Sequence, residues 1–230
     1  ELSRTSQEMT ISRTMKETEM LTRGLLHSLK NRLLIEKVIA LELQDMLSEG
    51  LDSDDIRKAV SMLIEEQDKT AEHMDRVHRT LKDIETHLRL ERTQPLFNDI
   101  KESCSRKYNG HDISFSIESG AILADRELLK EAIMNMIDNS VDSGADRISI
   151  SEKFTKSECI IEIADNGCGI DRNMRKRIFL PFTTTKNMQD NWGFGLCFAR
   201  QIVKKHLGDI QFHSEEGHGT TFYILLPKLY

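Results

Sequence analysis

Ten residues from Ile56 to Leu88 follow an unbroken alternation of four- and three-residue spacings, which is the pattern of a heptad repeat. Eight of these ten positions are apolar, and Gln67 and Thr70 are the polar exceptions. Such a repeat predicts a helix that packs along a narrow seam against other helices. The first 94 residues also contain no proline, phenylalanine, tryptophan, tyrosine or cysteine, which favours long helices in this part of the chain.

A turn between two helices is predicted at residues 48–53. Gly50 suits the left-handed position that follows a helix, and Asp52 or Ser53 can cap the start of the next helix. One hairpin of two helices buries little apolar surface, so we expect two chains to pair into a dimeric four-helix bundle. Packing of the hairpin against the rest of its own chain is the alternative.

Residues 95–230 have a different composition and predict an α/β layer fold, because runs of strand character alternate with helical stretches. The chain is therefore predicted to be an α+β protein of two domains, a helical hairpin over residues 1–94 and an α/β sandwich over residues 95–230. The predicted strands are Ile113–Ile117, Arg147–Glu152, Cys159–Ala164, Asp209–His213 and Thr220–Leu226, and the clearest helices are Asp125–Val141 and Gly195–His206.

Charge and composition exclude several classes of partner. The net charge is −6 and no basic stripe is present, so nucleic acid is not an expected partner. No apolar run approaches the ~20 residues that span a bilayer, so no membrane contact is expected within this segment. Four cysteines without a CxxC pair indicate reduced thiols and a cytoplasmic location. The first residue is not Met, and we expect the chain to be part of a longer protein.

Polar residues that could bind a ligand lie within a predicted helix and at the end of a predicted strand of the second domain. Asn135 and Asn139 lie one turn apart, so their carboxamides share a helix face. Asp165 ends an apolar strand and is followed by Gly167 and Gly169. A carboxylate at a strand end can accept a hydrogen bond from an exocyclic amine, and the glycines allow the backbone to approach a ligand closely.

A second group of residues predicts an anion site. Gly193, Gly195 and Leu196 open a helix, where backbone N–H groups are available to an anion, and Lys186 precedes them as a flexible cation. Gly219 and Thr220 lead into the last strand. Each fragment alone is a weak signal, whereas their combination in this order is specific.

In this order the fragments resemble the nucleotide-binding boxes of bacterial sensor histidine kinases, and the resemblance extends from about Leu21 to Pro227. The chain matches the asparagine box, the first glycine box, the phenylalanine box and the second and third glycine boxes, at Asn135 and Asn139, Asp165, Gly167 and Gly169, Phe179 and Phe182, Gly193 and Gly195, and Gly219.

The resemblance implies a site for ATP and Mg²⁺. It implies that Asp165 recognises adenine and that Asn139 and Asn135 hold Mg²⁺ against the phosphates. It also implies that Lys186–Trp192 forms a lid over the nucleotide and that Lys186 contacts the phosphate chain. The remaining box residues, Gly167, Gly169, Gly193, Gly195, Leu196 and Thr220, are expected to line the nucleotide site.

His27 is the predicted phosphoacceptor. At ~100° per residue it lies about 145° from the mean direction of the neighbouring leucines, which places it on the solvent face of its helix. Asn31 follows one turn later on that face, and the pair resembles the family's phosphoacceptor box. The resemblance implies that His27 takes the γ-phosphoryl group and passes it to an aspartate of a response-regulator receiver domain, in a homodimer that is the cytoplasmic part of a sensor.

Two departures from the family pattern keep alternatives open. Ser28 stands where a carboxylate usually follows the phosphoacceptor, so the usual general base is missing. Asp142 stands where a cation is common, which gives residues 138–142 a likeness to topoisomerase-type ATPases. The alternatives are a gyrase-type ATPase and a pseudokinase scaffold that docks a receiver domain, whereas phosphatase activity through Asn31 would accompany the kinase reading.

Overall fold

The computed structural model describes residues 33–44, 53–81, 84–181, 183 and 193–228. Contacts divide the chain into two compact units, and the second consists of Arg79–Leu180 and Phe194–Tyr230. The first contains the described residues up to His78 together with those of Pro181–Gly193. Across the described segments, no helix combines the length and apolar character that crossing a membrane requires.

Two helices represent the N-terminal half, α1 over residues 33–44 and α2 over Ser53–Leu81. Thr70 Oγ1 donates a 3.3 Å hydrogen bond to Glu36 Oε1, so α1 lies beside α2. Both helices expose apolar side chains, including Leu33 and Val60. The turn predicted around Gly50 lies outside the described residues, and the dimeric hairpin remains a prediction.

The predicted heptad seam is wrong in its last two positions, Ile84 and Leu88. Helix α2 ends at Leu81, and residues 84–88 are not helical. Ile84 packs instead against the hydrophobic core of the second unit. These residues lead into a strand, so burial in the second unit takes precedence over continuation of the heptad.

The second unit contains two sheets. Their strands are β1 Arg89–Arg92, β2 Asp112–Ile117, β3 Ala121–Ala124, β4 Arg147–Phe154, β5 Glu158–Asp165, β6 Asp209–Glu215 and β7 Gly219–Pro227. The larger sheet has the strand order β2-β4-β5-β7-β6, with β2 and β4 parallel and the other neighbours antiparallel. The smaller sheet pairs β1 with β3, which the sequence did not predict.

Three helices pack with the larger sheet: α3 Thr93–Lys107, α4 Arg126–Asp142 and α5 Gly195–Lys205. Burial alternates along β4, β5 and β7, so one face of the sheet joins the apolar faces of the helices in a common core. The predicted α/β sandwich is confirmed.

Helix α3 spans the position between residues 94 and 95 at which the sequence predicted the boundary between the two domains. Pro95 occupies its first turn, where the missing N–H group removes no intrahelical hydrogen bond. Leu96, Phe97 and Ile100 follow it into the core, where each is at most 2% exposed. Residues on both sides of Pro95 therefore belong to the second unit.

Candidate functional site

The carboxylate of Asp165, at the end of β5, is held by three hydrogen-bond donors. The N–H groups of Gly167 and Thr220 donate to Oδ1 at 2.9 and 3.1 Å. The hydroxyl of Ser140 donates to Oδ2 at 2.8 Å. The side chain is half-buried, so its orientation is fixed while it stays accessible to a ligand.

The predicted glycines are required by close packing around Asp165. A Cβ atom on Gly167 would lie 1.9 Å from Ser143 Oγ, and one on Gly219 would lie 2.0 Å from the Asp165 carbonyl oxygen. Gly169 has φ +69°, and a Cβ there would lie 2.1 Å from a backbone oxygen of the β6–β7 turn. No other residue fits these positions without a shift of the backbone or of Ser143.

Backbone contacts hold this glycine loop, residues 165–170, between α4 and the β6–β7 turn. Cys168 donates from its N–H to Ser143 O at 3.0 Å and accepts from Gly217 N–H at 2.8 Å. Ser214 Oγ accepts from Ile170 N–H at 2.8 Å and donates to the Gly219 carbonyl at 3.0 Å. The loop is therefore anchored on both sides.

The predicted asparagines lie on α4, on the same side of the helix. Asn135 Nδ2 donates to Glu131 O at 2.9 Å, and a Cβ on Gly195 would lie 3.2 Å from Asn135 Oδ1. The amide oxygen of Asn135 is thus directed at the start of α5. Asn139 is half-buried, and its side chain forms no hydrogen bond with another residue that the structure describes.

His206 ties the start of α4 to the end of α5. Its Nε2 accepts a 3.0 Å hydrogen bond from Asp125 N–H, and its Nδ1 donates to Ile202 O at 2.8 Å. The imidazole is buried, at 1% exposure. Asp125 caps α4 by accepting from Leu128 N–H at 3.3 Å. This link fixes the two helices that bear Asn135 and Gly195.

The start of α5 has the features of an anion site. Phe194, at the N-cap, supplies no capping side chain, and the first turn has no acidic residue. Gly195 opens the helix and the half-buried Leu196 packs against the core. Helix N-termini of this kind offer N–H groups to phosphates.

Several residues that the sequence predicted for the site are not among the contacts described above around Asp165, α4 and α5. Gly193 is described and has φ +68°, and a Cβ on it would lie 2.7 Å from the backbone of Thr183, so glycine is required there as well. His27, Ser28, Asn31 and Lys186 lie outside the described residues, and their roles remain predictions.

Three serines of the site were not predicted. Ser140 and Ser143 lie at the end of α4, and Ser214 lies on β6. Ser140 is completely buried inside a helix, where serine is a poor choice unless its hydroxyl has a partner. A serine inside a predicted helix, directly after Asn139, is the sequence signal that could have identified Ser140 as a site residue.

Comparison with known proteins relates part of the chain to a known family. The family described as "Histidine kinase-, DNA gyrase B-, and HSP90-like ATPase" matches residues 124–229. The signal transduction histidine-protein kinase AtoS of Escherichia coli K12 is 42% identical over 113 residues, which are 48% of this chain and 18% of AtoS. The sensor histidine kinase ZraS of the same organism is 27% identical over 217 residues, which are 90% of this chain and 45% of ZraS.

A solved structure has the same fold over most of the chain. Full-length ShkA in complex with AMPPNP superposes with a TM-score of 0.68 at 22% identity, over 89% of this chain and 45% of ShkA. The chain thus spans less than half the length of AtoS, ZraS and ShkA. The predicted resemblance to sensor histidine kinases is confirmed, and residues 124–229 match the histidine kinase-, DNA gyrase B- and HSP90-like ATPase family.

Proposed function

We propose that this chain is the kinase core of a two-component sensor, in which ATP phosphorylates His27 and the phosphoryl group then passes to an aspartate of a response regulator. The observation that carries the proposal is the Asp165 carboxylate, which three donors hold in place at the edge of an ATPase-family domain. The full-length relatives AtoS and ZraS are histidine kinases by name, which supports the same reaction here.

In this proposal the nucleotide lies between the glycine loop and α5. Asp165 accepts a hydrogen bond from the adenine amine. Gly167 and Gly169 allow the glycine loop to pack directly against Ser143 and the β6–β7 turn, which fixes the wall that the ring would meet. The N-terminus of α5 at Gly195 faces the phosphates. Lys186 adds a positive charge from the lid. The remaining lining residues are Gly193, Leu196 and Thr220.

The residues present fit a Mg²⁺ ion. Asn135 and Asn139 present carboxamides on one side of α4, and the amide oxygen is a ligand that Mg²⁺ accepts. Because Asn135 Nδ2 donates to the backbone of α4, the amide oxygen of Asn135 points away from α4 and toward the start of α5. When bound, Mg²⁺ would neutralise charge on the transferred phosphoryl group.

The N-terminal helices are proposed to form the dimer. Leu33, Val38 and Leu41 on α1 are 60, 53 and 49% exposed, which is a large apolar face for a helix in water. Pairing of the N-terminal helices of two copies into a four-helix bundle would cover that face. The ATP-binding domain is then the second unit, the partner is a receiver domain, and the location is the cytoplasmic side of a longer sensor.

Asn135 disfavours the gyrase-type ATPase. In that alternative a glutamate at this position takes a proton from the water that attacks ATP, whereas an amide cannot accept that proton. The Asn135 amide is also engaged with Glu131 O. ATP is therefore expected to remain intact until His27 attacks it.

The proposal is tested by mapping the phosphorylated residue by mass spectrometry after incubation with Mg-ATP. We expect an acid-labile phosphate on His27, its loss in His27→Ala, and nearly unchanged ATP binding in that variant. His87→Ala, which removes another exposed histidine, is the control. Labelling that survives His27→Ala would place the acceptor elsewhere, and tight nucleotide binding without labelling would favour the pseudokinase.

A further inference from the structure

Ser214 and Thr220 form a buried pair of hydroxyl groups at the end of the apolar core. They are cross-strand partners on β6 and β7 and are 4% and 6% exposed. Ile210 and Phe212 precede Ser214 on the core face of β6, and Phe222 follows Thr220 on that of β7. The pair therefore stands where apolar residues would pack, and buried polar groups at such positions destabilise a fold unless their hydrogen bonds are satisfied.

Hydrogen bonds connect this pair to both ends of the glycine loop. The hydroxyl oxygens of Ser214 and Thr220 lie 2.9 Å apart, which is hydrogen-bond distance. Ser214 Oγ also accepts from Ile170 N–H at 2.8 Å, and Thr220 N–H donates to Asp165 Oδ1 at 3.1 Å. The hydroxyl of Thr220 is thus held by a residue that is itself fixed to the glycine loop.

The Asp165 carboxylate leaves part of the choice of base to a neighbouring group. Its Oδ1 accepts two backbone N–H groups and its Oδ2 accepts from Ser140, so about one of its four acceptor positions remains for a ligand once the described residues are counted. That position suits the amine of adenine, but after a small shift of the base it would also accept the ring N–H of hypoxanthine. A second polar group is needed to separate these two bases.

We propose that Ser214 is a positioning residue that determines the selectivity of this site for adenine, because it fixes the hydroxyl hydrogen of Thr220 beside the base. The inference rests on the proposed function, in which Thr220 lines the nucleotide site. Adenine and hypoxanthine have the same size but opposite donors and acceptors at two adjacent atoms. A hydroxyl with a fixed hydrogen suits one of these patterns, whereas a hydroxyl that rotates freely adapts to both.

A purely structural role for Ser214 makes a different prediction. If Ser214 only anchored Ile170, its loss would loosen the glycine loop and weaken the binding of every nucleotide by the same factor. The ratio of the affinities for two bases of equal size therefore separates a role in selectivity from a role in folding.

The test measures binding of ADP and of inosine diphosphate, which carries hypoxanthine, to the full chain by titration calorimetry with Mg²⁺. Neither diphosphate has a γ-phosphoryl group, so phosphorylation of the protein does not accompany binding. The variants are Ser214→Ala, Thr220→Val and the two combined. Ser214→Cys is a second replacement, because a thiol nearly fills the space of the hydroxyl and forms weaker hydrogen bonds. Ser103→Ala is the matched control, since this half-buried hydroxyl donates to Asp99 O within α3.

We expect the parent to bind ADP at least about tenfold more tightly than inosine diphosphate. Ser214→Ala and Ser214→Cys should each lower that ratio at least about threefold, which one neutral hydrogen bond can account for. Thr220→Val should lower it by a similar factor. In the Thr220→Val background, Ser214→Ala should change the ratio less than about twofold, because no hydroxyl remains to be released. Ser103→Ala should keep the ratio of the parent.

The outcomes separate this inference from the proposed function. Equal losses of affinity for the two diphosphates in Ser214→Ala and Ser214→Cys would overturn the inference alone. A parent without preference between the diphosphates, or a Ser214→Ala effect on the ratio that persists in full with Thr220→Val, would overturn it as well. A parent that binds ADP selectively but does not autophosphorylate with Mg-ATP would instead overturn the proposed function.

Discussion

Ser140 donates a 2.8 Å hydrogen bond to Asp165 Oδ2, and this bond joins the end of α4 to the end of β5. Ser140 directly follows Asn139, so adjacent residues of one helix hold the proposed adenine-binding carboxylate and supply a proposed Mg²⁺ ligand. A shift of α4 would therefore move both halves of the nucleotide site together.

Ser140→Ala is expected to weaken ATP binding about tenfold. The Asp165 carboxylate would keep two of its three donors, and one hydrogen bond to a charged group contributes about 1.5–3 kcal/mol. Titration calorimetry with ATP measures the change. Ser105→Ala is the matched control, because this exposed hydroxyl donates only to Lys101 O within its own helix. An unchanged dissociation constant would show that two donors suffice to orient Asp165.

Asp165→Asn is expected to cost about 2 kcal/mol or more of ATP binding, since the adenine amine would lose a charged acceptor. An amide that keeps its oxygen toward the Gly167 and Thr220 N–H groups would also place an NH2 group where Oδ2 accepts from the Ser140 hydroxyl in the parent. Asp112→Asn changes an exposed carboxylate and serves as the control. The parent should bind GTP poorly, and equal affinity for ATP and GTP would contradict the role given to Asp165.

The larger sheet of the second unit could be predicted because its strands are short runs rich in apolar and β-branched residues. Residues 159–164 of β5 form such a run, and it places Asp165 at a strand end without knowledge of the partner strands. Helix α4 was equally clear, because Asp125 caps it and its apolar residues recur with helical spacing.

The parts that sequence could not predict depend on long-range contacts. Strands β1 and β3 have four residues each and pair only with each other, so neither carries a pattern long enough to recognise. Thr93 begins α3 without a capping side chain before it. It is buried because it bonds Glu152, 59 residues away in sequence, and no local pattern encodes that pairing.

Glu152 gives the folded unit a pH-dependent stability. Its side chain is 1% exposed, accepts hydrogen bonds from Thr93 Oγ1 and Ser119 N–H at 3.1 Å each, and lies 3.7 Å from the Cys159 thiol. Burial raises the pKa of Glu152 above its ordinary 4.5. The folded protein therefore retains this proton at pH values where the unfolded chain has lost it.

Glu152→Gln is expected to flatten the pH dependence of unfolding. In the parent, the contribution of Glu152 is fully present below pH 4.5, the unfolded value, and is lost as the pH rises through the raised folded pKa. As the pH rises from 4.5 to neutral, the free energy of unfolding of the parent should therefore fall relative to that of the variant. Urea titrations at a series of pH values measure this, with Glu162→Gln on β5 as control. Parallel curves for parent and Glu152→Gln would contradict the argument.

Ser28 leads to the last prediction, which concerns the rate of the proposed reaction. A neutral serine hydroxyl is too weak a base to accept a proton from the imidazole of His27, so autophosphorylation should be slow. General-base assistance is typically worth ~10²–10⁴-fold. We expect Ser28→Glu to raise the autophosphorylation rate at saturating ATP by at least about tenfold, which allows for imperfect placement of the carboxylate.

Asn31 provides the matched comparison for Ser28→Glu. Asn31 follows His27 by four residues, which the sequence predicts to be one turn of a helix, and we expect its amide to hold a water in line with a phosphoaspartate of the partner. Asn31→Ala should then lower phosphatase activity and leave the autophosphorylation rate nearly unchanged. Both activities are followed with radiolabelled ATP and with a labelled receiver domain. If Ser28→Glu leaves the rate unchanged or lowers it, the base lies elsewhere and Ser28 does not limit the reaction. If Asn31→Ala slows autophosphorylation as strongly as dephosphorylation, Asn31 acts on His27 itself.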